Sequence, residues 1–223
     1  VAAKKNKVVL STYHNRHWDG IVLEAMEKIK FIGEVVRVDI QMSNWQKPGD
    51  WWRTSKTISG GLLYDWGVHL LEYTLQIVDS EVLEVSGFLK NGVWAKESKW
   101  KADTNEDDGL VVVRYKSGAW STLAMSSIES KPGQFFKITG TKGTVMLDWK
   151  QCEVITHHES QAISVTSSVR KNEGWKLYQN VADHLTKGSK LVISPEWARR
   201  PIHILDLACK SAKAGKAMKA KYQ

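Results

Sequence analysis

Between residues 82 and 169 short strand-like segments alternate with tight turns, and this pattern limits what the chain can fold into. Residues 109–115 and 119–128 read as two strands joined across Lys116-Ser117-Gly118. Residues 135–139 and 144–149 form a second pair across Gly140-Thr141-Lys142-Gly143, and 153–157 with 162–169 a third. Connections this short join antiparallel neighbours, because a parallel pair needs a crossover of a dozen or more residues. Residues 82–89 add a strand, and 34–42 alternate Val36, Val38 and Ile40 against Val35, Arg37 and Asp39. Helical periodicity runs over 2–7, 21–32 (with Gly33 as C-cap), 59–78, 173–186, and from Pro195 to about Lys219. The chain is therefore expected to be α+β: a large open, mainly antiparallel β-sheet with helices packed on one face.

Composition narrows the classes of function. The chain has 223 residues, enough for one large or two small domains, and a formal net charge of +8. The basic residues form no arm. Their one regular set, Lys210, Lys213, Lys216 and Lys219, steps by three and reads as a solvated helix face, so no nucleic-acid partner is expected. No apolar run is long enough to span a membrane and no secretory leader is visible, so no membrane partner is expected. Cys152 and Cys209 are far apart and match no metal or redox spacing, which predicts free thiols and a cytoplasmic setting. The acidic run Asp103, Glu106, Asp107, Asp108 reads as a solvated turn. Eleven tryptophans are consistent with core filling or with an aromatic-lined pocket.

One stretch brings chemistry-bearing residues together: SGGLLYDWGVHLLEYTLQIV, residues 59–78. Ser59 can serve as N-cap, and the apolar residues Leu62, Leu63, Trp66, Leu70, Leu71, Leu75 and Val78 are helically spaced. Asp65 and His69 stand four apart and project from one helix face, with Gly61 leaving room one turn earlier. The carboxylate would fix the imidazole's tautomer and raise its pKa, making a proton-transfer site; the same spacing also suits a surface pair with no role. As metal ligands the two would need a third that nothing in the sequence marks, so no metal is expected. Ahead of the helix, the loop 43–58 carries Trp45, Trp51, Trp52 and Arg53, and Trp52, Arg53 and Tyr64 are expected as walls of a substrate pocket. The polar turn 14–20 follows a predicted strand at 8–13, a place suited to a binding loop.

Several motifs are missing: no GxGxxG follows a strand, and there is no phosphate-cradling lysine loop, HExxH or GxSxG. What is present, Gly60-Gly61-Leu62-Leu63-Tyr64-Asp65-Trp66-Gly67-Val68-His69, resembles the GGxxxDxGxH signature of the glucose-fructose oxidoreductase / inositol dehydrogenase / MocA family. Three weaker segments follow the family's order. His14-Asn15-Arg16 is similar to the turn after its domain-crossing strand, Ile32-Gly33-Glu34-Val35 to the opening of its sheet, and Ile138 to Thr144 to one of its hairpins. The resemblance implies a C-terminal domain of an NAD- or NADP-dependent oxidoreductase acting on the hydroxyl or carbonyl of a sugar or polyol. It places His69 as general acid/base, Asp65 as the residue that binds substrate and orients His69, and Asn15 and Arg16 near the nicotinamide. It divides the chain into 1–13, leading out of a dinucleotide-binding domain, and 14–223, a substrate-binding and oligomerisation domain. With the opening at Val1, it predicts a piece of a longer protein, inactive alone. Pairing of sheets into a homo-dimer or homo-tetramer is expected. Some relatives only bind ligand, so a non-catalytic binding or oligomerisation domain is the alternative.

Overall fold

The computed structural model describes residues 2–222. Val1 and Gln223, the outer ends of the two predicted segments, lie outside the described residues. Eight strands follow one another closely in the sheet: β1 (Val35–Ser43), β2 (Val82–Lys90), β3 (Asp108–Tyr115), β4 (Trp120–Ser126), β5 (Phe136–Gly140), β6 (Gly143–Leu147), β7 (Gln151–His158) and β8 (Gln161–Ser168). A two-residue strand β9 (Met218–Lys219) completes the order β8-β7-β6-β5-β1-β4-β3-β2-β9. The β1–β4 pair is parallel and every other named pair antiparallel.

The register lines up one residue row across eight strands: Val85, Val113, Ser121, Val38, Ile138, Val145, Val154, Val165. All are buried except the last, because helical cover stops before β8 and Val165 is 61% exposed. The neighbouring row reads Ser86, Val112, Thr122, Asp39, Lys137, Met146, Glu153, Thr166 and points the other way, being mostly polar. Period-two alternation has thus sorted core from surface along the whole sheet.

Helices cover the apolar face. Of α1 (Ala2–Lys5), α2 (Gly20–Lys28), α3 (Lys56–Ser59), α4 (Val68–Ile77), α5 (Lys176–Lys187) and α6 (Pro195–Ala214), it is α2, α4 and α6 that pack on the strands. α4 lies over β1 and β4, and α6 over β2 and β3. Backbone contact between α6 and β2 is close enough that a Cβ on Gly87 would lie 2.1 Å from the Ala208 carbonyl oxygen. Ser194 caps α6, its Oγ accepting from the Trp197 N–H at 3.2 Å, with Pro195 at the first position.

Three expected elements differ. Residues 8–13 pair with no strand: Val8, Val9, Leu10 and Tyr13 are exposed, and Ser11 Oγ donates to the Ile193 carbonyl. Apolar patterning cannot make a strand where no sheet edge is within reach. α6 ends at Ala214 on a left-handed Gly215, so Lys216 and Lys219 are not on its face. The acidic run is not a solvated turn. Glu106 and Asp107 are buried, and Asp107 accepts from the Val93 and Trp94 N–H groups at 2.8 and 3.2 Å. These carboxylates serve as backbone acceptors, a use that leaves no mark in local sequence.

Candidate functional site

The site forms where the central helix begins. Ser59 is not its cap. Ser55 caps the short α3, Oγ accepting from Ile58 N–H at 3.3 Å, and the chain leaves α3 through Gly60 and Gly61 at φ +94° and +126°. A Cβ on Gly61 would meet Glu106 Oε2 at 2.6 Å. That oxygen accepts from the Leu62 N–H at 2.9 Å, and Oε1 pairs with Lys56. A distant carboxylate therefore supplies what a local N-cap would, at the positive end of the helix dipole. Gly61 makes room for Glu106, rather than for Asp65 and His69. Leu63–Gly67 then winds as a π turn before α4 starts. Such turns re-aim side chains, and they recur at functional sites.

Asp65 and His69 do not bond to each other. Asp65 Oδ1 accepts from Arg53 Nη1 at 3.0 Å. The Arg53 guanidinium stands 5.1 and 5.2 Å from the ring centroids of Trp51 and Trp52. Arg53, Asp65, Trp51, Trp66, Ser43, Asn105 and Glu106 line a cleft of about 330 Å³. Two buried polar atoms of that lining, Ser43 Oγ and Arg53 Nε, have no hydrogen-bond partner. A bond left unmade at a buried atom costs about 1–3 kcal/mol. Of the expected walls, Arg53 lines the cleft. Trp52 stands outside it and is 55% exposed; its neighbour Trp51 takes the place. Tyr64 turns away, because adjacent helical residues point about 100° apart. Its hydroxyl meets the Cys209 thiol under α6, and burial raises its pKa.

His69 sits beside the cleft, edge-on to Trp66 at 5.8 Å and to His14 at 6.2 Å between ring centroids. Its Nδ1 is buried and without a partner. Burial, then the electrostatic effect of Arg16 and His14, push its pKa down to about 4, against a weaker upward pull from Asp19 and Asp65. The expected rise is reversed, because Asp65 is turned to Arg53 and burial dominates. His69 is accordingly uncharged at neutral pH. Asn15 and Arg16 lie on a 3-10 turn, Asn15–Trp18, at this same place. Arg16 donates to Asp19 Oδ2 at 2.9 Å and its guanidinium lies 4.2 Å over the Trp66 ring.

One helical step further, Glu72 is fully buried. It accepts from His14 Nδ1 at 3.2 Å, from His17 Nδ1 at 2.5 Å and from Trp197 Nε1 at 2.7 and 2.9 Å. Burial alone would raise its pKa; the bonds from His14, His17 and Trp197 outweigh burial and hold it at about 2. Sequence reading put His14 in a candidate binding loop without a role of its own, read Glu106 as part of a solvated turn, and missed Glu72, whose signal is a charge inside the apolar run Leu70-Leu71-Glu72-Tyr73. Among the described residues no group of three or more His, Cys, Asp or Glu converges to hold a metal ion.

The profile of the GFO/IDH/MocA C-terminal domain matches residues 23–146, more than half of the chain, and the chain belongs to that family. Solved structures agree on the fold. The Bacillus subtilis protein yvaA is 18% identical with a TM-score of 0.83, over 99% of this chain and 68% of that one. An NAD-binding protein from Listeria innocua is 23% identical, TM-score 0.78, over 98% and 65%. Aldose-aldose oxidoreductase from Caulobacter crescentus, complexed with glycerol, is 15% identical, TM-score 0.78, over 98% and 66%. This chain thus spans about two thirds of the length of these proteins. No curated protein matches it.

Proposed function

We propose that the chain is the substrate-binding and proton-transfer domain of an NAD- or NADP-dependent oxidoreductase acting on the hydroxyl or carbonyl of a sugar or polyol. The observation that carries this reading is His69: uncharged at neutral pH and packed against Trp66, which lines a cleft that also holds Arg53 and Asp65. Oxidising an alcohol requires a group to take the hydroxyl proton, and a neutral imidazole is suited to that task. In the reverse direction the same imidazole returns the proton to the carbonyl oxygen. The partly exposed Arg53 and Asp65 side chains would bond the remaining hydroxyls, and the Trp51 and Trp66 rings would face the C–H surfaces of a sugar. The glycerol-bound aldose-aldose oxidoreductase and the NAD-binding protein among the similar structures support this choice of chemistry.

The ring end of a dinucleotide would lie by His69 and the turn that carries Asn15 and Arg16. The residues present do not fit its phosphates. The Gly20 N–H at the start of α2 already donates to Asn172 Oδ1 at 2.7 Å, and the Leu62 N–H is taken by Glu106. The phosphates would therefore be held outside residues 2–222, in keeping with the greater length of the similar structures. When bound, the nicotinamide supplies or accepts the hydride.

In a protein that also carries the dinucleotide-binding part, His69→Ala should lower kcat/KM by about 10²–10⁴-fold. Unchanged turnover would overturn the assignment. A second reading, ligand binding without catalysis, is favoured by the commitment of Asp65 to Arg53. It predicts sugar binding that survives His69→Ala in a protein that never reduces NAD or NADP. We further propose a homo-oligomer formed through the outer sheet face. Its polar row would make such an interface rich in hydrogen bonds, and a monomer by sedimentation at micromolar concentration would refute it.

A further inference from the structure

The cluster around Glu72 is unused by the proposed chemistry, yet it holds the ring that packs against His69. Glu72 is ionised and can only accept hydrogen bonds, so Nδ1 of His14 and Nδ1 of His17 must each carry hydrogen. Trp197 donates to both carboxylate oxygens and leaves the carboxylate no freedom to turn. His14 is 7% exposed and its ring is thereby fixed in tautomer and orientation, edge-on to His69. His69 and Glu72 are three residues apart on α4, so one helix face carries both ends of the arrangement.

We infer that Glu72 is a positioning residue for His69: its carboxylate anchors His14 against the His69 ring, and through that contact sets the protonation of the group that exchanges the substrate proton. The inference rests on the reading of His69 as proton carrier, but its first test does not need turnover. Five groups face His69: Arg16, His14 and Asp19 from the turn and its flanks, and Asp65 and Trp66 from the π turn. Of these only His14 is held by Glu72.

The test is an NMR titration of the His69 imidazole in this chain. His14→Asn removes a ring that lowers the His69 pKa, so the His69 midpoint should rise. Glu72→Gln cannot accept from both rings as the carboxylate does, so His14 loses its anchor. The His69 midpoint should then rise in the same direction as in His14→Asn. In the double variant Glu72→Gln should add little further shift. If Glu72 acted on His69 directly, loss of a negative charge would move the midpoint down; if its role were only structural, Glu72→Gln would lower thermal stability and leave the midpoint unmoved. Either result overturns the inference. Should Glu72→Gln fail to fold, Trp197→Phe loosens the same carboxylate, and an unmoved His69 midpoint in that variant counts equally against it. In the full-length oxidoreductase the acidic limb of kcat/KM should follow the NMR shifts. Shifts without any turnover would sink the proposed function and leave this inference standing.

Discussion

At the scale of single residues, Gly61 shows how the site depends on absent atoms. Its φ of +126° is strained for any L side chain, and a Cβ would press on Glu106 Oε2. Gly61→Ala should therefore destabilise the protein by about 1–3 kcal/mol and release Glu106 from the Leu62 N–H. Denaturant unfolding measures the loss, and a Glu106→Gln background should absorb part of it, since the two residues share one contact. The signature spacing marks Asp65 and His69 correctly as neighbours in sequence. It does not reveal that Asp65 would pair with Arg53, because that choice depends on where the 52–54 turn lands.

At the scale of elements, α4 and α6 hold the site against the sheet. The α6–β2 contact leaves no space for a side chain at Gly87, whose Cβ would sit 2.1 Å from a helix carbonyl. The opposing atom is backbone and cannot swing aside. Gly87→Ala should cost about 3 kcal/mol or more and lift α6 off β2; a matching drop in the chemical-denaturation midpoint is the check. Strand positions were legible to within a residue or two, because alternation over 109–115, 119–128 and 135–149 reports burial directly. The segment at 8–13 has equally strong apolar patterning and is not a strand, since strand identity belongs to a partner as much as to the segment itself.

For the whole molecule, burial of ionisable groups links stability to pH. His69 has its folded pKa lowered from 6.5 to about 4, so between those values the unfolded chain binds a proton that the folded chain refuses. Stability is lost as pH falls through that window. Glu72 has its folded pKa lowered from 4.5 to about 2. Its contribution is present above 4.5 and lost as pH falls toward 2. Thermal unfolding followed from pH 8 downward should thus decline in two stages, and His69→Phe should remove the upper one. A melting temperature flat from pH 7 to pH 4.5 would contradict the buried, uncharged state of His69. No described helix is long and apolar enough to cross a membrane.

The sequence by itself determined the open sheet, the helices on one face, and the stretch that holds the site. These follow from periodicity and turn chemistry, which act between residues close along the chain. Tertiary structure alone decided the rest: the Glu106 cap on Leu62, the pairing of Asp65 with Arg53, the burial that discharges His69, and the convergence of His14, His17 and Trp197 on Glu72. Each joins residues 12 to 125 positions apart, or arises from burial by distant elements. A carboxylate's sequence neighbours do not say which donors it will meet in a folded core.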